Sequence, residues 1–207
     1  MNKSHKMLLD ITSRHLISSP LKDKENIIIE EIVNLNEELK KDAPVFKQTV
    51  NNAFFVNGTI GAAIYLTFKD RMETGAIDKV NDIFMEFFRK IVEESKITQS
   101  FYSIIHKIPF VGRIICCLMT RLKETEGWIA KRGEPGALIS LDLTNCGIIS
   151  YLEKLGIPEL CQVYCNGDDI NAGFMTGLEF RREETIAKGN DACKFRYYKR
   201  NMRPTTR

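Results

Sequence analysis

Between residues 23 and 41, apolar side chains recur at Ile28, Ile32, Leu35 and Leu39, three and four positions apart, with Glu and Lys filling the intervals. That spacing collects the apolar groups on one side of an α-helix and predicts a helix across the segment. Asp42-Ala43-Pro44 ends it, because Pro44 disfavours helical geometry at the residue before it. A second helix is predicted over residues 45–69. Its middle, Asn57-Gly58-Thr59-Ile60-Gly61-Ala62-Ala63, is small and apolar, which suits close approach of another backbone or leaves room for a ligand. Asp78 is placed to cap a third helix, whose face of Val80, Ile83, Phe84, Phe87, Phe88 and Ile91 reads as core. Residues 99–123 predict a helix pair broken near Pro109 and Gly112. Cys116 and Cys117, within the apolar run from Ile114 to Met119, read as small buried hydrophobes.

The texture changes after Gly127. Residues 128–132, a Gly133-Glu134-Pro135-Gly136 turn and residues 137–143 predict a hairpin. A short helix over 147–155 should stop at Gly156, with Pro158 just beyond. Another helix begins near Pro158 and carries Cys161 and Cys165. A final hairpin pairs residues 177–186 with 192–198 across Lys188-Gly189-Asn190-Asp191. The expected fold class is α/β in the α+β sense, with N-terminal helices packed on a small antiparallel sheet that ends in a C-terminal hairpin. The chain divides into a helical portion (1–126), a mixed portion (127–200) and a basic tail (201–207), with the first two forming one compact domain.

Composition narrows the functional classes. The chain has 207 residues, 43% apolar and 28% charged, enough for a sizeable core, and a net charge of +3. Lys199, Arg200, Arg203 and Arg207 make a short basic end that reads as solvated, without the broad basic face that nucleic-acid binding needs. The longest apolar stretch, from Ala53 to Phe68, is broken by Asn57 and two glycines and is shorter than the ~20 residues of a membrane-spanning helix. The expectation is a cytoplasmic protein without membrane insertion, a homodimer being compatible with the long apolar helical half. Its six cysteines are then free thiols, ligands or nucleophiles rather than a disulfide frame.

Chemistry-bearing residues concentrate between Cys146 and Phe195. Cys161 and Cys165, four apart on a helix, share a face and could chelate zinc with Cys146 and Cys193, although the spacing is not that of a short zinc knuckle. Alternatively one thiol is a nucleophile, its pKa lowered by Arg181, Arg182 or a helix N-terminus. Cys165 lies one helical turn before Asp168, which could act as general base, hold a water, or simply cap a turn in Asn166-Gly167-Asp168-Asp169. Strand alternation turns one of Arg181 and Arg182 inward, where it needs a protein or ligand carboxylate. Thr185 reads as an ordinary strand residue. His5, His15 and His106 form no cluster, and no glycine-rich phosphate loop is present.

Taken together, Cys146, Gly156-x-Pro158-Glu159-Leu160, Cys165-x-x-Asp168 and Arg182-x-x-Thr185-x-Ala187-x-Gly189-x-x-x-Cys193-x-Phe195 resemble the L-2-amino-thiazoline-4-carboxylic acid hydrolase family, most clearly over residues 128–197. Lys194 stands where that family usually has Asp. The family is similar to the vinyl-reductase-like ligand-binding domains. Some sensor relatives there bind zinc through Cys and Glu on the last hairpin, but here Arg182 and Thr185 occupy those places and only Cys193 is kept. The resemblance implies hydrolytic opening of a cyclic isothiourea to N-carbamoyl-L-cysteine. Cys165 or an Asp168-held water would attack, Cys146, Cys193 and Thr185 would assist, and Arg182 would bind a carboxylate-bearing substrate, with no cofactor. The alternative is a non-catalytic binding domain, in which the Gly58 to Ala63 helix and the Phe84 to Phe88 stripe line a pocket or a dimer interface.

Overall fold

A computed structural model describes residues 2–121 and 127–200. The end of the predicted helix pair at Lys123 and the tail residues Arg203 and Arg207 lie outside the described residues. The helical portion begins with α1 (Lys3–Ile17), which the sequence pattern did not suggest. Its start is capped by the Asn2 side chain, which accepts from the His5 amide at 2.8 Å, and it buries Leu8, Ile11 and Leu16. Helix α2 (Glu25–Lys41) follows as predicted, with Ile28 and Ile32 fully buried.

The helix predicted over 45–69 is in fact two, α3 (Thr49–Phe55) and α4 (Gly58–Lys69). The break is held by side chains distant in sequence. His5 Nε2 takes the Val56 carbonyl at 2.7 Å, and the Tyr164 hydroxyl donates to the Asn57 carbonyl at 3.0 Å. The small residues of α4 serve close packing. A side chain at Gly61 would collide with the Tyr164 hydroxyl and the Phe84 ring.

Helix α5 (Ala76–Glu94) is preceded by Gly75 at φ +79°, so Gly75 rather than Asp78 makes the cap. Asp78 instead lies in the first turn, where its charge suits the helix dipole. Phe84 and Phe87 are core, as read from the pattern. Helices α6 (Lys96–Ile104) and α7 (Val111–Met119) flank a bend of 117°. Pro109 leaves Ile108 extended, and Phe110 adopts a positive φ of 57°. Cys116 is buried against the Ser140 carbonyl, but Cys117 is exposed, because neighbouring helical positions point in different directions. Among the described residues, no single helix is long and apolar enough to cross a membrane.

The mixed portion supplies an antiparallel sheet in the order β1-β2-β4-β3: β1 (Ile129–Arg132), β2 (Ile139–Asn145), β3 (Leu178–Arg181) and β4 (Cys193–Lys199). Between β2 and β3 run α8 (Gly147–Lys154) and α9 (Cys161–Gly173), joined through a 3-10 turn at Pro158–Leu160. Gly156, at φ +71°, ends α8, and the Ile157 amide reaches back to the Leu152 carbonyl at 3.0 Å. The last hairpin is shorter than predicted. Arg182 and Thr185 lie beyond the end of β3, in a loop with its own 3-10 turn at Ile186–Lys188 closed by Gly189 at φ +84°. One apolar core runs through both portions, from Leu8 and Ile28 to Leu143, Leu160 and Cys193. Helices α5 and α9 meet, and α7 packs on β2.

Candidate functional site

The sheet and α9 enclose a cavity of about 580 Å³, within the range of small-molecule sites. Strand alternation builds one wall. Ile139, Leu141 and Leu143 of β2, and Cys193, Phe195 and Tyr197 of β4, all point into it from one sheet face. Helical spacing builds the facing wall from Cys161, Tyr164, Cys165 and Asp168, at positions i, i+3, i+4 and i+7 along α9. Phe101 and Tyr102 of α6 and Ile115 and Met119 of α7 form a third side, and Cys146 enters at the start of α8.

Five of the chemistry-bearing residues singled out from the sequence therefore share the cavity: Cys146, Cys161, Cys165, Asp168 and Cys193. Arg182 and Thr185 do not line it. The Arg182 side chain is 5 % exposed, and its donors are taken by Asp168 Oδ2 at 2.6 Å, the Cys165 carbonyl at 2.8 Å and Asp169 Oδ2 at 3.1 Å. Its guanidinium carbon lies 5.6 Å from the Phe180 ring centre and 5.4 Å from that of Phe195. This guanidinium clamps the hairpin to α9 and positions Asp168. Thr185 is buried, and its carbonyl accepts from Lys188, Asn190 and the Asn190 side chain, so its backbone frames the turn.

The thiols differ in electrostatic setting. Cys146 is the N-cap residue of α8, whose first-turn amides have no partner within the helix. Its pKa is lowered, first by the Cys161 thiol, against the effect of burial, and then by the amides of Ile149 and Ile148. Cys161 is pushed the other way by the same pairing, and also by Cys165. Of the two coupled thiols, Cys146 therefore gives up its proton more readily than Cys161. Cys165 lies mid-helix, where backbone amides are used in the helix's own hydrogen bonds. Cys193 accepts from the Ile186 amide at 3.3 Å, and burial pushes its thiol up to about 11. Among the described residues, no three Cys, His, Asp or Glu side chains are grouped so as to hold a metal ion, and the four-thiol zinc arrangement does not assemble.

Asp168 is the only charged side chain on the described cavity wall. Its side chain is 43 % exposed. Burial pushes its pKa up to about 6, against the pull of Arg182 and with the help of Asp169. Two phenols missed from the sequence, Tyr102 and Tyr197, also line the cavity. Burial raises both, with the Asp168 charge adding to it, so they stay protonated. Tyr197 could have been found, since it lies four positions from Cys193 and so on the same strand face. Tyr102 carried no such signal, because only the fold brings α6 to α9.

Other motif residues act as fasteners. Glu159 accepts from the Tyr65 hydroxyl at 2.7 Å and from Lys69 at 3.1 Å, tying the 3-10 turn before α9 to α4. Lys194 pairs with Glu184 at 2.7 Å on the surface, away from the cavity, so the charge reversal there is absorbed by a loop partner.

A family model described as L-2-amino-thiazoline-4-carboxylic acid hydrolase matches residues 58–197, from the first residue of α4 into β4. It covers most elements of the cavity wall and reaches well before residue 128, where the motif pattern had become clear. No curated protein and no solved structure matches the chain. With two thirds of its residues in that match, the chain belongs to the L-2-amino-thiazoline-4-carboxylic acid hydrolase family.

Proposed function

We propose that the protein is a hydrolase that opens a small cyclic compound of the 2-aminothiazoline type, with Cys146 as nucleophile. The observation carrying this reading is the placement of Cys146 at the N-terminus of α8, with its thiolate favoured, in the same cavity as the raised carboxyl of Asp168. Cys165, the thiol first suggested by its spacing from Asp168, lacks that helix-terminal setting.

The chemistry runs as two displacements. Asp168 accepts hydrogen bonds from the amidine nitrogens and keeps the carbon between nitrogen and sulfur electrophilic. The Cys146 thiolate attacks that carbon, and the ring carbon–sulfur bond breaks. The departing sulfur takes a proton that Asp168 relays from the amidinium. Water then adds to the resulting enzyme-bound isothiourea and gives one proton to Asp168. Cys146 leaves as a thiolate, stabilised again by the amides of α8. The net reaction is ring plus one water to a urea bearing a free thiol. For the compound in the family's description this product is N-carbamoyl-L-cysteine. Arg182 does not touch the substrate in this scheme, and it holds Asp168 in place.

The test is turnover of 2-aminothiazoline compounds by purified protein, followed as ring-opened product by mass spectrometry. Cys146→Ser is expected to lower kcat by more than about 100-fold, while Cys117→Ser, at an exposed thiol that does not line the cavity, keeps full activity. Full activity in Cys146→Ser would remove the assigned nucleophile. A binding module without turnover is the second reading, favoured by the mostly apolar walls. It predicts saturable ligand binding, with no product formed by the native protein.

A further inference from the structure

The charge inside the cavity is one-sided. Among its described lining residues there is no lysine, arginine or histidine, and Asp168 is the one ionisable carboxyl. The nearest guanidinium, Arg182, lies behind the wall with its donors directed at Asp168, Asp169 and the Cys165 carbonyl. Both carboxylates pair with that one cation, Asp168 at 2.6 Å and Asp169 at 3.1 Å, and of the two only Asp168 lies on the described cavity wall. The other electropositive feature is the N-terminus of α8, where Cys146 is the N-cap residue and the Ile148 and Ile149 amides lower its pKa. The phenols of Tyr102 and Tyr197 and the amide of Asn171 can hydrogen-bond a polar group but cannot neutralise an anion. Elsewhere the lining is apolar and aromatic, including Phe54, Phe88, Trp128 and Phe195. A carboxylate buried here would lose hydration, gain no cation from the described wall and sit in the field of Asp168.

Resting on the hydrolase reading above, we propose that the ring opened by this protein carries no carboxylate: its substrate is a cationic or neutral cyclic isothiourea or amidine with an apolar substituent, its amidinium nitrogens bound by Asp168. The cavity of about 580 Å³ leaves room for such a substituent against the aromatic wall. This departs from the amino-acid substrate implied by the family description, whose carboxylate Arg182 was expected to hold.

The experiment compares three compounds on the purified full chain: 2-amino-2-thiazoline, its 5-phenyl derivative, and L-2-amino-thiazoline-4-carboxylate. Ring-opened product is quantified by mass spectrometry. The two carboxylate-free rings are expected to show kcat/KM at least about tenfold above the carboxylate, with Asp168→Asn narrowing that ratio. A carboxylate turned over as well as or better than the others overturns the proposal and leaves the hydrolase reading standing. Opening of none of the three rings defeats the hydrolase reading instead. The charge assignment is then decided by thermal shift with two non-reacting probes. Benzamidine raising the midpoint where benzoate does not upholds an Asp168-centred cation site. Benzoate stabilising as well as or better than benzamidine, or neither compound stabilising, overturns it.

Discussion

At the scale of single residues, the site depends on how buried charge is shared. Asp168 is pushed up to about 6, well above an ordinary carboxyl, because burial outweighs the attraction of Arg182. If its ionised form is needed, turnover falls as pH drops through about 6. Arg182 pulls that pKa down, so Arg182→Met should move the acid limb of the pH–rate profile to higher pH. Arg182→Lys, which keeps the charge, should move it less. An unmoved limb in both would show that Arg182 does not set the Asp168 titration. His5 offers a stability test with the opposite cause. Burial lowers its pKa from 6.5, although its bond to the Val56 carbonyl works the other way. The unfolded chain takes up that proton more readily than the folded one, so the His5 contribution is present above about pH 6.5 and is lost as pH falls through it. Asp168, whose pKa is raised on folding, acts in the other direction between about 6 and 3.8. The comparison is therefore made between variants. From pH 7 to 5, the thermal midpoint of His5→Gln should fall less than that of the native protein.

At the scale of elements, α9 shows what spacing can and cannot reveal. The four-residue step from Cys161 to Cys165 and the three-residue step from Cys165 to Asp168 correctly place these side chains on one face, because the helical period is a local property. Spacing did not show that Tyr164, on the same stripe, reaches across to α4 and fixes the α3–α4 break. Nor did it show that Arg182 leaves the strand register to clamp Asp168 and Asp169. Alternation supplies a side for each strand residue only while the strand lasts, and β3 ends at Arg181. The α4–α9 contact gives a direct test. Gly61→Ala places a methyl against the Tyr164 hydroxyl and the Phe84 ring, and it should cost about 1–3 kcal/mol, read as a lower urea midpoint. In a Tyr164→Phe background the same substitution should cost less. Equal costs in both backgrounds would place the strain elsewhere.

At the scale of the whole molecule, the family match begins at Gly58, yet the core does not. Leu8, Ile11 and Leu16 of α1 and Ile28 and Ile32 of α2 are essentially inaccessible to solvent, and α2 packs along α4. Each such side chain contributes about 1.5–3 kcal/mol on burial, and together they rival the about 5–15 kcal/mol by which domains are stable. A fragment of residues 43–200 should therefore lose the cooperative thermal transition of the full chain. A sharp, native-like transition in that fragment would show that the matched region folds alone. Local chemistry determined much of this protein before any fold was known. It set the helical period of α2, α5 and α9, the stops at Pro44 and Gly156, the two hairpins and the cluster of thiols with one carboxyl, because each depends on neighbours a few residues apart. Only tertiary structure decided which thiol stands at a helix N-terminus facing the cavity, that Arg182 is consumed by protein carboxylates, and that the described wall presents a negative charge without a cation. Those properties are set by the field of groups distant in sequence, and a field has no local signature in the chain.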